Sequence, residues 1–173
     1  MRSCAAVTLV LMLLLFGIPW LAEAPEGGQA QPEPLAAEEQ RADADIALTV
    51  WDGQELRQMT MAEYLPGVVR GEMPATFELE ALKAQAVAER TYLYYRMTGG
   101  EKAAHPDADV CTDSNCCTAW LSEEDARAKW GDKFDQYETK VQQAVTETDG
   151  QVVLYDGTPI MAVFHSSSAG STA

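Results

Sequence analysis

Residues Ala5–Ala22 form an 18-residue run without a charged side chain, rich in Leu, Val and Met and preceded by Arg2. Its length falls between the apolar region of a signal peptide and a full helical membrane span. It is therefore read as a secretory signal or an uncleaved signal anchor covering residues 1–22. Ala22-Glu23-Ala24 has the small-x-small form of a cleavage site, but Pro25 would become the first mature residue, which favours the anchor. One base before the run and acids after it obey the positive-inside bias. The remainder is expected outside the cytoplasm, on a single-pass membrane tether, or secreted if the signal is cut.

Residues 23–45 carry seven acids, one base and three prolines, with little to bury. They read as a disordered acidic linker. Folding is therefore left to residues 46–173, enough for one modest domain. The chain's net charge of −15 includes −10 from that part. Such an acidic surplus argues against a nucleic-acid partner, whose phosphates are neutralised by Lys and Arg.

Ile46–Trp51 has strand character, and Asp52-Gly53 is a turn signal. Thr60 and Glu63 match a capping box opening a short helix through Val69, in which Pro66 suggests a bend or an early stop. Gly71-Glu72-Met73-Pro74 then breaks it, since a residue before proline avoids the helical region. A long helix is expected over residues 77–97, with Leu79, Leu82, Ala86 and Leu93 as its buried stripe and Gly99-Gly100 as its stop. Residues 99–120 read as a loop. Ser122 caps a further helix, interrupted near Gly131 and resuming with Phe134, Tyr137, Val141, Ala144 and Val145 inward. Residues 151–155 and 158–164 read as strands around a type I′ turn at Asp156-Gly157. This order gives an α+β class, with the long helix packed on a small antiparallel sheet.

Two constellations carry chemistry. His105, Cys111, Cys116 and Cys117 lie within thirteen residues, among Asp107, Asp109 and Asp113. Thiolate and imidazole donors suit zinc. A disulfide is the alternative for an exported protein, although three loop cysteines cannot all pair within the chain. Glu72 stands at a helix C-terminus, where carbonyl dipoles favour a protonated carboxyl group fit for general-acid work. Lys83 and Arg90, seven apart, share one helix face, and Gln85 pairs with Glu89 at i,i+4. His165 beside Ser166, Ser167 and Ser168 is no catalytic triad, since adjacency in sequence does not make one.

Four motifs in order resemble the stage II sporulation protein D family and its amidase-enhancer relatives. They are residues 61–75; residues 80–92; Asp109–Asp113 with Cys117–Trp120; and residues 148–153 with Gly157–Ile160 and Phe164–Thr172. The resemblance implies a peptidoglycan lytic transglycosylase acting in engulfment during endospore formation and leaving 1,6-anhydro sugar ends. A non-catalytic wall-binding module that stimulates a cell-wall amidase is the alternative. Glycan strands are then the substrate, the membrane is reached through the N-terminal segment, and other wall hydrolases of the engulfment machinery are partners. The resemblance puts the catalytic acid on Glu72, family cations on Lys83 and Arg90, and the zinc set of some members on His105, Cys111 and Cys117. Gln85, His165, Ser166 and Ser167 join Lys83 and Arg90 as expected substrate contacts. Cys116 stands where the family often has histidine. The family's domain continues past the Ser-rich turn, so residues 46–173 are expected to be incomplete at the C-terminus.

Overall fold

The computed structural model describes residues 41–99, 105 and 107–165. Ser166, Ser167, the N-terminal apolar run and most of the linker lie outside them. Among the described residues, no helix is long and apolar enough to cross a membrane.

Strand β1 (Ala47–Trp51) pairs antiparallel with β2 (Leu56–Thr60), in register from Ala47 opposite Thr60 to Trp51 opposite Leu56. Asp52 Oδ1 accepts from the Gln54 and Glu55 amides and closes the connection. Helix α1 (Met61–Glu72) follows directly. The Thr60 hydroxyl accepts from the Glu63 amide, and the Glu63 carboxylate accepts from the Thr60 amide. The capping box read from the sequence is therefore present. Pro66 neither stops the helix nor splits it. Its missing N–H removes one helical bond, and the burial of Tyr64, Leu65, Val68 and Val69 around it offsets that loss. The helix extends past Val69 to include Gly71 and Glu72, ending where Met73 turns extended before Pro74.

Helix α2 (Leu79–Met97) buries Leu82, Ala86 and Leu93, with Leu79 half-buried. The expected stripe is thus present, and Gly99 follows with φ +105°. Helix α3 (Glu123–Trp130) starts at the Ser122 cap, whose hydroxyl accepts from the Asp125 amide. Gly131, with φ +53°, breaks it. Helix α4 (Phe134–Glu147) resumes and buries Phe134, Val141, Ala144 and Val145. Helix α2 packs against α1 and α4, and Leu48, Val50 and Val110 from the sheet join the same core.

Three expectations change. First, the sheet is mixed. Val110–Cys111 forms β3, parallel to β1, in a segment read as loop. Its pairing is non-local: Asp109 donates its amide to the Thr49 carbonyl, the Asp109 carboxylate accepts from the Thr49 amide, and Thr112 donates to Trp51. No short sequence pattern encodes such contacts. Second, the linker read through Asp45 gives way earlier. Asp43–Asp45 form a 3₁₀ turn with Asp43 buried. Third, the last hairpin shrinks to β4 (Leu154–Tyr155) and β5 (Thr158–Pro159). Its turn has positive φ at both Asp156 and Gly157, as a type I′ turn requires.

Candidate functional site

Helix α1 carries a slot on one face. Gly67 and Gly71 are one turn apart, and the chain at Ala119–Trp120 lies against both. A Cβ on Gly71 would sit 2.5 Å from the Ala119 carbonyl oxygen, and one on Gly67 would meet the Trp120 indole. Three hydrogen bonds hold the passing chain. Leu121 donates its amide to the Gly67 carbonyl at 2.9 Å, the Trp120 indole N–H donates to the Tyr64 carbonyl at 3.2 Å, and Ala119 donates its amide to Glu72 Oε1 at 2.5 Å. Glu72 is thus oriented by a backbone N–H while remaining half-buried at the helix end. The two glycines at i,i+4 within a helix were the sequence signal for this close approach, and it was missed.

A second carboxyl group lies close behind. Glu89 on α2 is 1% exposed and accepts from Gln85 Nε2 at 2.8 Å. Burial pushes its pKa up to about 8; the Gln85 hydrogen bond opposes this and the Glu72 charge adds to it. Glu89 therefore carries a proton at neutral pH. Gln85, expected to meet substrate, is buried against it.

Arg90 is also corrected. It is fully buried, and its guanidinium holds Asp43 through Nε–Oδ1 at 2.7 Å and Nη2–Oδ2 at 2.8 Å. It donates further to the carbonyls of Gln151 and Val145. A guanidinium so engaged has no donor left for a sugar. The amide of Asp43 in turn donates to Asp149, so this cluster pins the start of the domain. Lys83 Nζ lies 2.8 Å from Glu80 and 2.5 Å from Glu147, which raise its pKa. Those carboxylates, not an open groove, take its charge. His165 is exposed at the last described position.

The metal donors converge. His105, Cys111, Cys116 and Cys117 offer ligand atoms all within 4.8 Å of one another. Parallel pairing of β3 with β1 places Cys111, and the turn at Asp113–Cys116 returns the next two thiols. His105 Nε2 lies 3.3 Å from Cys117 Sγ, while Nδ1 faces the Ala108 carbonyl at 3.4 Å. Protonation at Nδ1 leaves Nε2 as the ligand atom, the usual arrangement of a metal-bound histidine. Zinc–ligand bonds of about 2.0–2.3 Å give tetrahedral edges of about 3.3–3.8 Å, so the cluster fits zinc with a small contraction. All three thiols are free. Burial pushes the Cys111 thiol up to about 12 and raises that of Cys117, so a cation binding here displaces protons.

Tyr64 joins the two centres. Its hydroxyl donates to the Cys111 carbonyl at 2.9 Å, and its own carbonyl receives the Trp120 indole. Residues 111–121 are therefore fixed to α1 at both ends, between the thiols and Glu72.

Residues 52–155 match the family model described as stage II sporulation protein. Stage II sporulation protein D of Bacillus subtilis (strain 168) is 31% identical over 179 residues, covering 98% of this chain and 52% of the relative. Its counterpart in Bacillus amyloliquefaciens is 28% identical over 180 residues, with the same coverage. The amidase enhancer of Bacillus subtilis is 36% identical over 108 residues, 62% of this chain and 12% of that protein. The chain spans about half the length of the first two relatives.

Proposed function

The chain belongs to the stage II sporulation protein family, and from that premise we propose that it is a lytic transglycosylase cutting peptidoglycan glycan strands during engulfment, with Glu72 as its acid. The observation that carries this reading is the Glu72 carboxyl group, half-buried at the end of α1 and oriented through one oxygen by the Ala119 amide. A proton delivered from Glu72 to the glycosidic oxygen lets the bond break as an oxocarbenium-like centre develops. The resulting carboxylate then takes the proton of the sugar's own 6-hydroxyl, which closes onto the anomeric carbon and leaves a 1,6-anhydro end. One carboxyl group serves both steps. Hydrolysis through two carboxylates needs a second one at the sugar, and Glu89, at 1% exposure, has no such access.

In this reading zinc is held by His105, Cys111 and Cys117, whose donor chemistry suits it. Bound there, it supplies a fixed cross-link for the loop that leads to Ala119. Residues 1–22 tether the domain to the membrane, on its outer face.

The test is mass spectrometry of purified glycan strands after incubation with the protein. Anhydro-ended fragments are expected, and Glu72→Gln should lower their formation by about 10²–10⁴-fold. Full activity in Glu72→Gln would overturn the assignment. The likeness to an amidase enhancer supports a second reading, a wall-binding module that stimulates a separate amidase. Glycan binding without cleavage, together with faster amidase turnover, would favour it.

A further inference from the structure

Six of the nine large apolar side chains exposed among the described residues fall within twelve positions: Val153, Tyr155, Ile160, Met161, Val163 and Phe164. They lie on the β4–β5 hairpin and the stretch that follows it, and Tyr155 and Val163 are 74% and 78% exposed. Between Gly150 and Phe164 the one charged side chain is Asp156, at the turn. We propose that this hairpin is a membrane-contact surface, seated on the outer face of the bilayer that tethers the domain. The proposal rests on the tether assigned to residues 1–22 and adds a second, separate contact to it.

An apolar patch of this kind marks a membrane or a protein partner, and the place where the tether joins the domain favours the membrane. The incoming chain is clasped by Arg90 through Asp43, and the Asp43 amide donates to Asp149. The Arg41 carbonyl lies against Gly150, where a Cβ would stand 3.4 Å from its oxygen. The hairpin is fastened one residue along the same helix: Val153 donates its amide to the Thr91 hydroxyl at 2.9 Å, and Arg90 also donates to the Gln151 carbonyl. Tether and hairpin therefore leave the domain from adjacent positions of α2. The chain from residue 22 to Asp43 spans at most about 75 Å, whatever its conformation. It holds the hairpin near the bilayer at an effective concentration independent of how much protein is present. A second copy has no such advantage, and residues 46–173 of each copy bring −10 of mutually repelling charge.

The contact is shallow. Among the described residues the hairpin has no third strand, and the backbone groups on its open edges would find no partner in hydrocarbon. The strands therefore stay at headgroup level while the side chains reach the acyl boundary, as in interfacial binding. Tyr155 suits that boundary, with a ring for the acyl chains and a hydroxyl for the headgroups. The domain's acidic surplus repels anionic headgroups, so apolar contact carries the binding and salt strengthens it by screening the repulsion. A single tether sets distance from the membrane; a second contact beside the clasp sets orientation.

The experiment reconstitutes the full chain in phosphatidylcholine vesicles doped with a phosphatidylcholine that carries a photoactivatable diazirine on its acyl chain, near the headgroup. Lipid adducts are mapped by mass spectrometry. They are expected in two places, within residues 5–22 and within residues 153–164. Tyr155→Ser, Met161→Ser and Val163→Ser together should lower the hairpin adducts by about tenfold or more and leave those on residues 5–22 in place. All three side chains are exposed, so circular dichroism should show an unchanged fold. Adducts on residues 5–22 alone overturn the hairpin contact and leave the tether standing, whereas adducts on neither overturn both. Hairpin adducts that persist in the triple variant also overturn the proposal. Cross-links between the hairpins of two copies, in place of lipid adducts, assign the patch to a second copy instead. On vesicles containing phosphatidylglycerol, added salt should raise the hairpin adducts; a fall would make the contact electrostatic and overturn its apolar basis.

Discussion

Glu72 and Arg90 hold charge in opposite ways. Arg90 is wholly buried, and its donors are spent on Asp43 and on carbonyls of the chain after α4. Glu72 is half-buried, and among the described residues only its Oε1 is engaged, by a single amide. Both are long-range contacts, spanning 47 residues each. The difference is spare capacity. A saturated buried charge stabilises a fold; a carboxyl group with one oxygen unspent and a route to solvent can exchange a proton with a substrate. The resemblance to the family put Arg90 at the substrate, and burial moves it into the framework.

The comparison can be broken by substitution, beginning with the largest effect. Arg90→Ala leaves Asp43 buried without its partner and should cost about 3–5 kcal/mol in urea unfolding, much of a typical domain's stability of about 5–15 kcal/mol. Glu89, beside Arg90, tests the cost of a buried group that stays neutral. The folded carboxyl holds its proton up to about pH 8, against the 4.5 of an ordinary glutamate. Unfolding above pH 4.5 releases that proton. Stability is therefore fullest below the unfolded value and falls as pH rises towards 8, by about 1.4 kcal/mol per unit. The difference in unfolding free energy between the unmodified chain and Glu89→Gln, measured from pH 5 to 8, isolates that slope. A flat difference would place Glu89 in water.

Smaller effects follow at the open centre. Gly71→Ala puts a methyl 2.5 Å from the Ala119 carbonyl, a backbone atom that cannot swing aside. It should cost about 1–3 kcal/mol by overpacking. If the proposed function holds, it should also lower glycan cleavage beyond the loss of folded protein, because the Ala119 amide moves with its carbonyl. Smallest of all, Glu72→Gln should leave stability within about 0.5 kcal/mol, since the side-chain carbonyl still accepts from Ala119. A large stability loss there would make Glu72 a second Arg90.

Local features were legible in the sequence. The Thr60–Glu63 capping box, the Ser122 cap, the α2 stripe, the break at Gly131 and the Asp156-Gly157 turn each depend on residues a few positions apart. The candidate acid rested on a helix end and a resemblance, and the convergence of the His and Cys side chains was legible in their spacing. What was not legible depends on distant partners. Thr49 fixes β3, Asp43 captures Arg90, and Ala119 needs the slot at Gly67 and Gly71. Glu89 was visible only as half of an i,i+4 pair, because its burial comes from tertiary packing and not from that pair. The helix was read only through Val69, with the break assigned to the residues before Pro74; in three dimensions it runs to Glu72, and the missing side chain of Gly71 admits the passing chain.

The two-residue strand Val110–Cys111 has a kinetic consequence. It joins β1 across a separation of about sixty residues, through a handful of backbone bonds. Contacts closed over such long loops form late in folding, and segments held by few bonds open without global unfolding. Amide hydrogens at Asp109 and Thr112 should therefore exchange sooner than those of Leu82 or Val68 in the helical core. During such openings the thiols meet oxidants while the helices remain folded. The thiols then lie in the same segment whose docking presents an amide to Glu72.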